Sequence, residues 1–182
     1  MDREEKILQE YHDTVGTDSL KARNLIKKLD YKEDHHYLQC IAQTYLDESR
    51  FEDDGTMRIY WDKRKWRMAE RYIIKAHIIN PDCADVLSVM GEIRKLNGQM
   101  DIAIYCFEKI IKQGIKGISY SGCKLNVEYA KEMINDSKFE LYRIYHDTNP
   151  KLSKRYLALY KKGLEKGIHT IFKPLKKFLL PW

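Results

Sequence analysis

Apolar residues recur along most of this chain three and four positions apart, the spacing that lines one face of an α-helix. The pattern is cleanest over residues 80–114, NPDCADVLSVMGEIRKLNGQMDIAIYCFEKIIKQG. It predicts two amphipathic helices, 84–96 and 101–112, joined by a turn at Gly98. Upstream, Met68, Ala69, Tyr72, Ile73, Ala76 and Ile79 mark a helix over 65–79, which Asn80-Pro81 ends because proline disfavours continuation. Nearer the start, Ile7, Leu8 and Tyr11 predict a helix over 4–12. A second, capped by Asp18 or Ser19, carries Leu20, Ala22, Leu25, Ile26 and Leu29. A third carries Leu38, Ile41, Ala42 and Tyr45. Three glycines over 114–126 predict a loop. Short helices are then expected at 127–134 and 138–146, a break at Asn149-Pro150, a strong helix at 152–164, and a last one at 168–180 that Pro174 kinks or starts. No βαβ alternation and no convincing hairpin strand is visible, so the expected class is all-α.

One period runs through this pattern. Ala69 and Ala103 lie 34 residues apart, and four residues after each comes a bulky apolar residue, Ile73 and Phe107. In the clearest repeat Leu87, Met90 and Gly91 share one helix, Gly98 makes the turn, and Ala103 with Phe107 follow on the next. In the preceding repeat Leu38, Ile41, Ala42 and Tyr45 are followed by Ala69, Ile73, Ala76 and Pro81. These positions resemble the tetratricopeptide repeat, a stacked helix-turn-helix unit of that period. Arg94 stands where the family has tyrosine, and Ile115 where it has the closing proline. The resemblance implies an irregular, right-handed array of three to four helical hairpins filling one domain over 1–182. Its best repeats are 37–114, with degenerate repeats at 4–30 and 138–166; in the latter, Leu141, Tyr145, Ser153 and Leu157 take the repeat positions. The basic amphipathic helix 168–180 would cap the array. In such arrays a small residue lets two helix backbones approach, and a large one fills the groove of the next pair.

Two intervals break the period. Tyr45 to Ala69 spans 24 residues where Arg94 to Ala103 spans 9, so fifteen residues are inserted at one helix-helix turn. Residues 47–64 are expected to extend two helices or to form a projecting loop. The interval from Ala103 to Ser153 is also long, 50 residues.

Charge changes the picture only at the end of the chain. The net charge is +6, yet residues 151–182 hold nine Lys/Arg against one acid, a local +8 that leaves −2 for residues 1–150. Ile168, Ile171, Phe172, Leu175, Phe178 and Leu179 form an apolar stripe opposite Lys173, Lys176 and Lys177. Three readings stay open for this segment: a cap, a helix lying on an anionic membrane, and a docking helix for a partner. The start, MDREEKILQEYHD, is charged where a secretory signal needs an apolar core, and no run reaches the roughly 18 apolar residues of a membrane span. The four cysteines, Cys40, Cys83, Cys106 and Cys123, form no C-x-x-C pair, so free thiols in the cytoplasm are expected.

No catalytic constellation is found, so no enzyme activity and no cofactor are expected. His35-His36 is set aside as a metal pair because adjacent side chains on a helix diverge by about 100°. The cluster Glu48, Glu52, Asp53 and Asp54 lacks the ordered oxygen spacing of a calcium loop. The glycines of 114–122 lack the ending and the preceding strand of a phosphate loop. No metal site is expected. Binding a protein or peptide partner is the favoured reading. The resemblance implies a concave face lined by His36, Gln39 and Gln43 on one helix and by Asp85, Ser88, Glu92 and Lys95 on the next. Asp85 and Glu92 have the wrong sign for the family's clamp on acidic peptide tails. Tyr60 and Trp61, interleaved with Arg58, Lys63 and Arg64 in the insertion, have hot-spot composition and make a second candidate surface. The alternative is nucleic-acid or anionic-membrane binding through the lysine-rich end. It is not favoured for nucleic acid, because no reader motif accompanies the lysines.

Overall fold

The structure is a computed structural model that describes residues 2–52, 59–121 and 126–169, with backbone alone at 50–52, 59–61, 120 and 121. It is helical, with eight α-helices and one short two-stranded ribbon among the described residues. The chain divides into two compact units, Met1–Met90 and Gly91–Trp182.

In the first unit α1 (Arg3–Thr14) begins with a reciprocal cap. Asp2 accepts from the Glu5 N–H at 2.8 Å, and the Glu5 carboxylate accepts from the Asp2 N–H at 2.8 Å. The second helix, α2 (Ser19–Ile26), is capped by Asp18 through the Lys21 N–H. It packs on both α1 and α3 (His35–Ser49). Ile7, Tyr11, Ala22, Leu25, Ile26 and Ile41 form the core of that three-helix contact. The next helix, α4 (Lys63–Ile79), lies along α3, with Ala42, Ala69, Ile73 and Ala76 buried. Where the two helices meet, the Tyr45 and Tyr72 rings stack at 5.8 Å and 15°. The Arg23 guanidinium sits 3.9 Å above Tyr45 and forms an ion pair with Glu48 at 3.1 Å.

The fifteen inserted residues correct the sequence reading. The chain leaves α3 as strand β1 (Arg50–Glu52) and returns as β2 (Ile59–Trp61), antiparallel, with Phe51 opposite Tyr60. The Asp62 N–H then bonds to the Ser49 carbonyl at 2.8 Å, and Asp62 caps α4 through Arg64 and Lys65. The strands are too short for alternation to be legible, which is why no hairpin was expected there.

α5 (Ala84–Leu96) crosses from the first unit into the second. It stops at Gly98, whose positive φ of 75° admits paired bonds from the Gly98 N–H to Lys95 and from the Gln99 N–H to Arg94. α6 (Met100–Lys116) buries Ala103, Cys106, Phe107 and Ile110 and is kinked at Gly114. Residues 117–121, expected in a loop, form one π-helical turn packed on α6 and α7. Ala69, Gly91 and Ala103, the small positions of the expected repeat, are all buried.

A second correction concerns α7 (Val127–Tyr145), one continuous helix where two were expected. Asn135, Asp136 and Ser137 fall between the two expected helices, and each can compete with its own backbone for hydrogen bonds. All three are buried instead, and Ser137 turns its hydroxyl back to the Met133 carbonyl at 2.8 Å. Burial against neighbours outweighs the weak propensity. Then α8 (Pro150–Glu165) starts where a break was predicted, with Asn149 as cap and Pro150 in the first turn. It packs along α7, where Tyr145 and Tyr156 stack at 5.9 Å and 5°. Tyr156 follows the buried Ser153 by three residues, as Tyr72 follows Ala69. The two helix pairs are thus closed by the same stack in the same register.

Gly163 of α8 lies under the Asn135 amide, so that a Cβ there would fall 2.1 Å from Asn135 Oδ1. Gly163→Ala is expected to lower stability by about 1–3 kcal/mol. Adding Asn135→Ala is expected to return part of that loss, as read by urea denaturation. Ile168 and His169 are not helical. The remainder of the predicted 168–180 helix, with Lys173, Lys176 and Lys177, lies outside the described residues. No helix among the described residues is long and apolar enough to cross a membrane.

Candidate functional site

The expected groove residues fall into two sets. His36, Gln39, Gln43, Asp85 and Ser88 belong to the first unit, Glu92 and Lys95 to the second. Each is half-buried. Gln43 donates to Asp47 at 2.7 Å, a local i,i+4 pair on α3. Lys95 does not stand clear of the core. Its ammonium pairs with Glu140 of α7, a carboxylate only 7% exposed, which also accepts from Arg143 at 3.1 Å. Of Tyr60 and Trp61 the structure describes the backbone, in β2; their side chains lie outside the described residues.

The first unit brings the start of α3 beside the start of α5. Asp34 caps α3, accepting from the His36 N–H at 2.8 Å and the Tyr37 N–H at 3.1 Å. His35 and His36 therefore occupy the first turn. There the rings do not diverge as they would at 100° around a helix: their centroids are 4.2 Å apart and tilted 35°. Asn80, in the turn after α4, fixes the first ring. Its Oδ1 accepts the Asp82 N–H at 3.1 Å, so its amide NH2 faces His35 Nε2 at 3.1 Å and donates to it. Burial and the neighbouring His36 hold the His35 imidazole below its usual pKa, against an opposing pull from Asp34. Cys83, fully buried just before α5, completes the cluster. One ring nitrogen from each histidine and the Cys83 sulfur lie within 4.8 Å of one another.

The structure thus brings together two rings that sequence set aside. The 100° offset concerns where successive side chains leave the helix, and side-chain rotation at His35 and His36 still sets the two rings together. Sequence offered one usable signal, the two histidines directly after a capping aspartate; nothing local linked them to Cys83.

The cysteines also divide. Cys40 and Cys106 are free, and burial pushes both thiols up to about 11. For Cys40 the Asp85 charge adds to the rise while the Tyr11 hydroxyl opposes it. Cys83 is disulfide-bonded, contrary to the expectation of four free thiols. Cys123 lies outside the described residues.

No protein-family model, no curated protein and no solved structure matches this chain.

Proposed function

We propose that this chain is a non-catalytic protein-interaction module of the stacked helical-hairpin type, resembling the tetratricopeptide repeat. It binds a peptide or partner domain on the outward residues of its first helices, with the inserted ribbon as a second contact. The observation that carries this reading is the closeness of the first turn of α3 to the residues that open α5. His35 meets Asn80, His36 meets Cys83, and the Asp85 charge reaches Cys40. Stacked arrays set the first helices of successive hairpins side by side in this way, and the resulting groove is what they present to partners. His36, Gln39, Gln43, Asp85 and Ser88 then share one surface of mixed polarity. We place the module in the cytoplasm, where thiol pools reopen most disulfides and those that form are transient.

A photo-crosslinking residue at Gln39 or Ser88 tests the reading in native lysate. A discrete set of crosslinked proteins is expected, removed by Asp85→Lys with the circular dichroism unchanged. Crosslinks that persist in Asp85→Lys would refute the α3–α5 surface. So would a chain that binds only polyanions or anionic vesicles, with affinity falling steeply as salt rises.

A further inference from the structure

We infer that His35, His36 and Cys83 form a divalent zinc site that opens when the Cys83 disulfide is reduced. Three observations carry it. First, two borderline nitrogen donors and one soft sulfur donor converge within 4.8 Å of one another, drawn from α3 and from the residue just before α5. Tetrahedral zinc, with bonds of about 2.0–2.3 Å to nitrogen and sulfur, needs donors roughly 3.3–3.6 Å apart. Closing the cluster takes a movement of about 1 Å, within reach of rotations at two half-buried imidazoles. Second, the set is already oriented by an outer shell. Asp34 sets the first turn of α3, and Asn80, itself locked by the Asp82 N–H, leaves the neutral His35 its lone pair at Nε2, which zinc takes in place of the Asn80 NH2. Third, His/Cys sets select zinc over the harder cations that oxygen sites take.

The disulfide makes the site conditional. A sulfur bonded to sulfur is no thiolate, so the oxidised chain offers two imidazoles only. A dithiol reductant supplies two electrons and two protons. The S–S bond breaks, two thiols form, and the reductant leaves as its own disulfide. Zinc then replaces the proton on the Cys83 thiol, which passes to solvent. Three protein donors leave one position for water, and the metal ties the start of α3 to the start of α5.

Cobalt(II) reports on the site directly. The full chain, reduced with a dithiol and desalted without oxygen, is expected to bind one Co2+ per chain. It should show a near-ultraviolet thiolate-to-cobalt band and visible bands of tetrahedral strength, both lost when Zn2+ is added. The oxidised chain is expected to show neither. Cys83→Ser should abolish the near-ultraviolet band, and Cys106→Ser should leave it intact. His36→Ala should weaken Co2+ binding more than about 10-fold, beyond the loss expected for the mildest outer-shell changes. A reduced chain without the band, a band that survives Cys83→Ser, or unchanged affinity in His36→Ala would each overturn the site. Should Cys83→Ser fail to fold by circular dichroism, His36→Ala, at a half-buried position, decides alone.

Discussion

Phe107→Ala is expected to cost about 3–5 kcal/mol, the range for emptying a buried aromatic site. The ring is 2% exposed and lies over Gly91, where a Cβ would stand 2.8 Å from Phe107 Cζ and 3.0 Å from Cε1. Glycine at 91 lets α5 approach that ring, and the ring fills the space the missing side chain leaves. Gly91→Ala on its own should therefore cost about 1–3 kcal/mol, because the aromatic ring is packed on its other sides and has little room to retreat. The two changes should not add. With Phe107 already alanine, the methyl at position 91 enters the cavity, and Gly91→Ala should become neutral or mildly stabilising. Urea denaturation of the four species of that cycle checks it. Additive losses would mean that Gly91 and Phe107 are not a packed pair.

The second large effect is expected at Glu140. Its carboxylate is 7% exposed and holds Lys95, itself 13% exposed, together with the more open Arg143. Glu140→Leu leaves the Lys95 ammonium partly buried without its counter-charge, and about 3–5 kcal/mol of stability should be lost. The loss comes from the stranded charge more than from the pair's own attraction. The double variant Glu140→Leu with Lys95→Met should accordingly recover most of it, since an apolar pair of similar volume avoids desolvating either charge. Arg143→Ala should cost under about 1 kcal/mol, because its side chain is half exposed and solvent screens it. Recovery in the double variant separates charge burial from simple loss of packing, which would not be repaired. The same contact explains why Lys95 is a poor choice for a partner-facing residue despite its position on α5.

Residue type and spacing were enough for most of the helices. Ala69, Ile73, Ala103 and Phe107 are buried as their apolar helical faces imply, and Ser153 is buried too, with Tyr156 stacked on Tyr145 as Tyr72 is on Tyr45. These features are local: a cap, a proline or an apolar face three and four residues apart acts within one or two turns of chain. The continuity of α7 through Asn135-Asp136-Ser137, the pairing of strands 50–52 and 59–61, the tie between Lys95 and Glu140, and the meeting of His35 and His36 with Cys83 were decided elsewhere. Each joins residues whose own sequence neighbourhoods favour something else, or nothing in particular. Polar residues stay helical when their neighbours bury them, and a cysteine some 47 positions from a histidine becomes its neighbour only once α4 has run out and returned. Local free energies of tenths of a kcal/mol per residue choose the helices; the larger energies of burial and pairing choose which side chains meet, and only the assembled fold contains them.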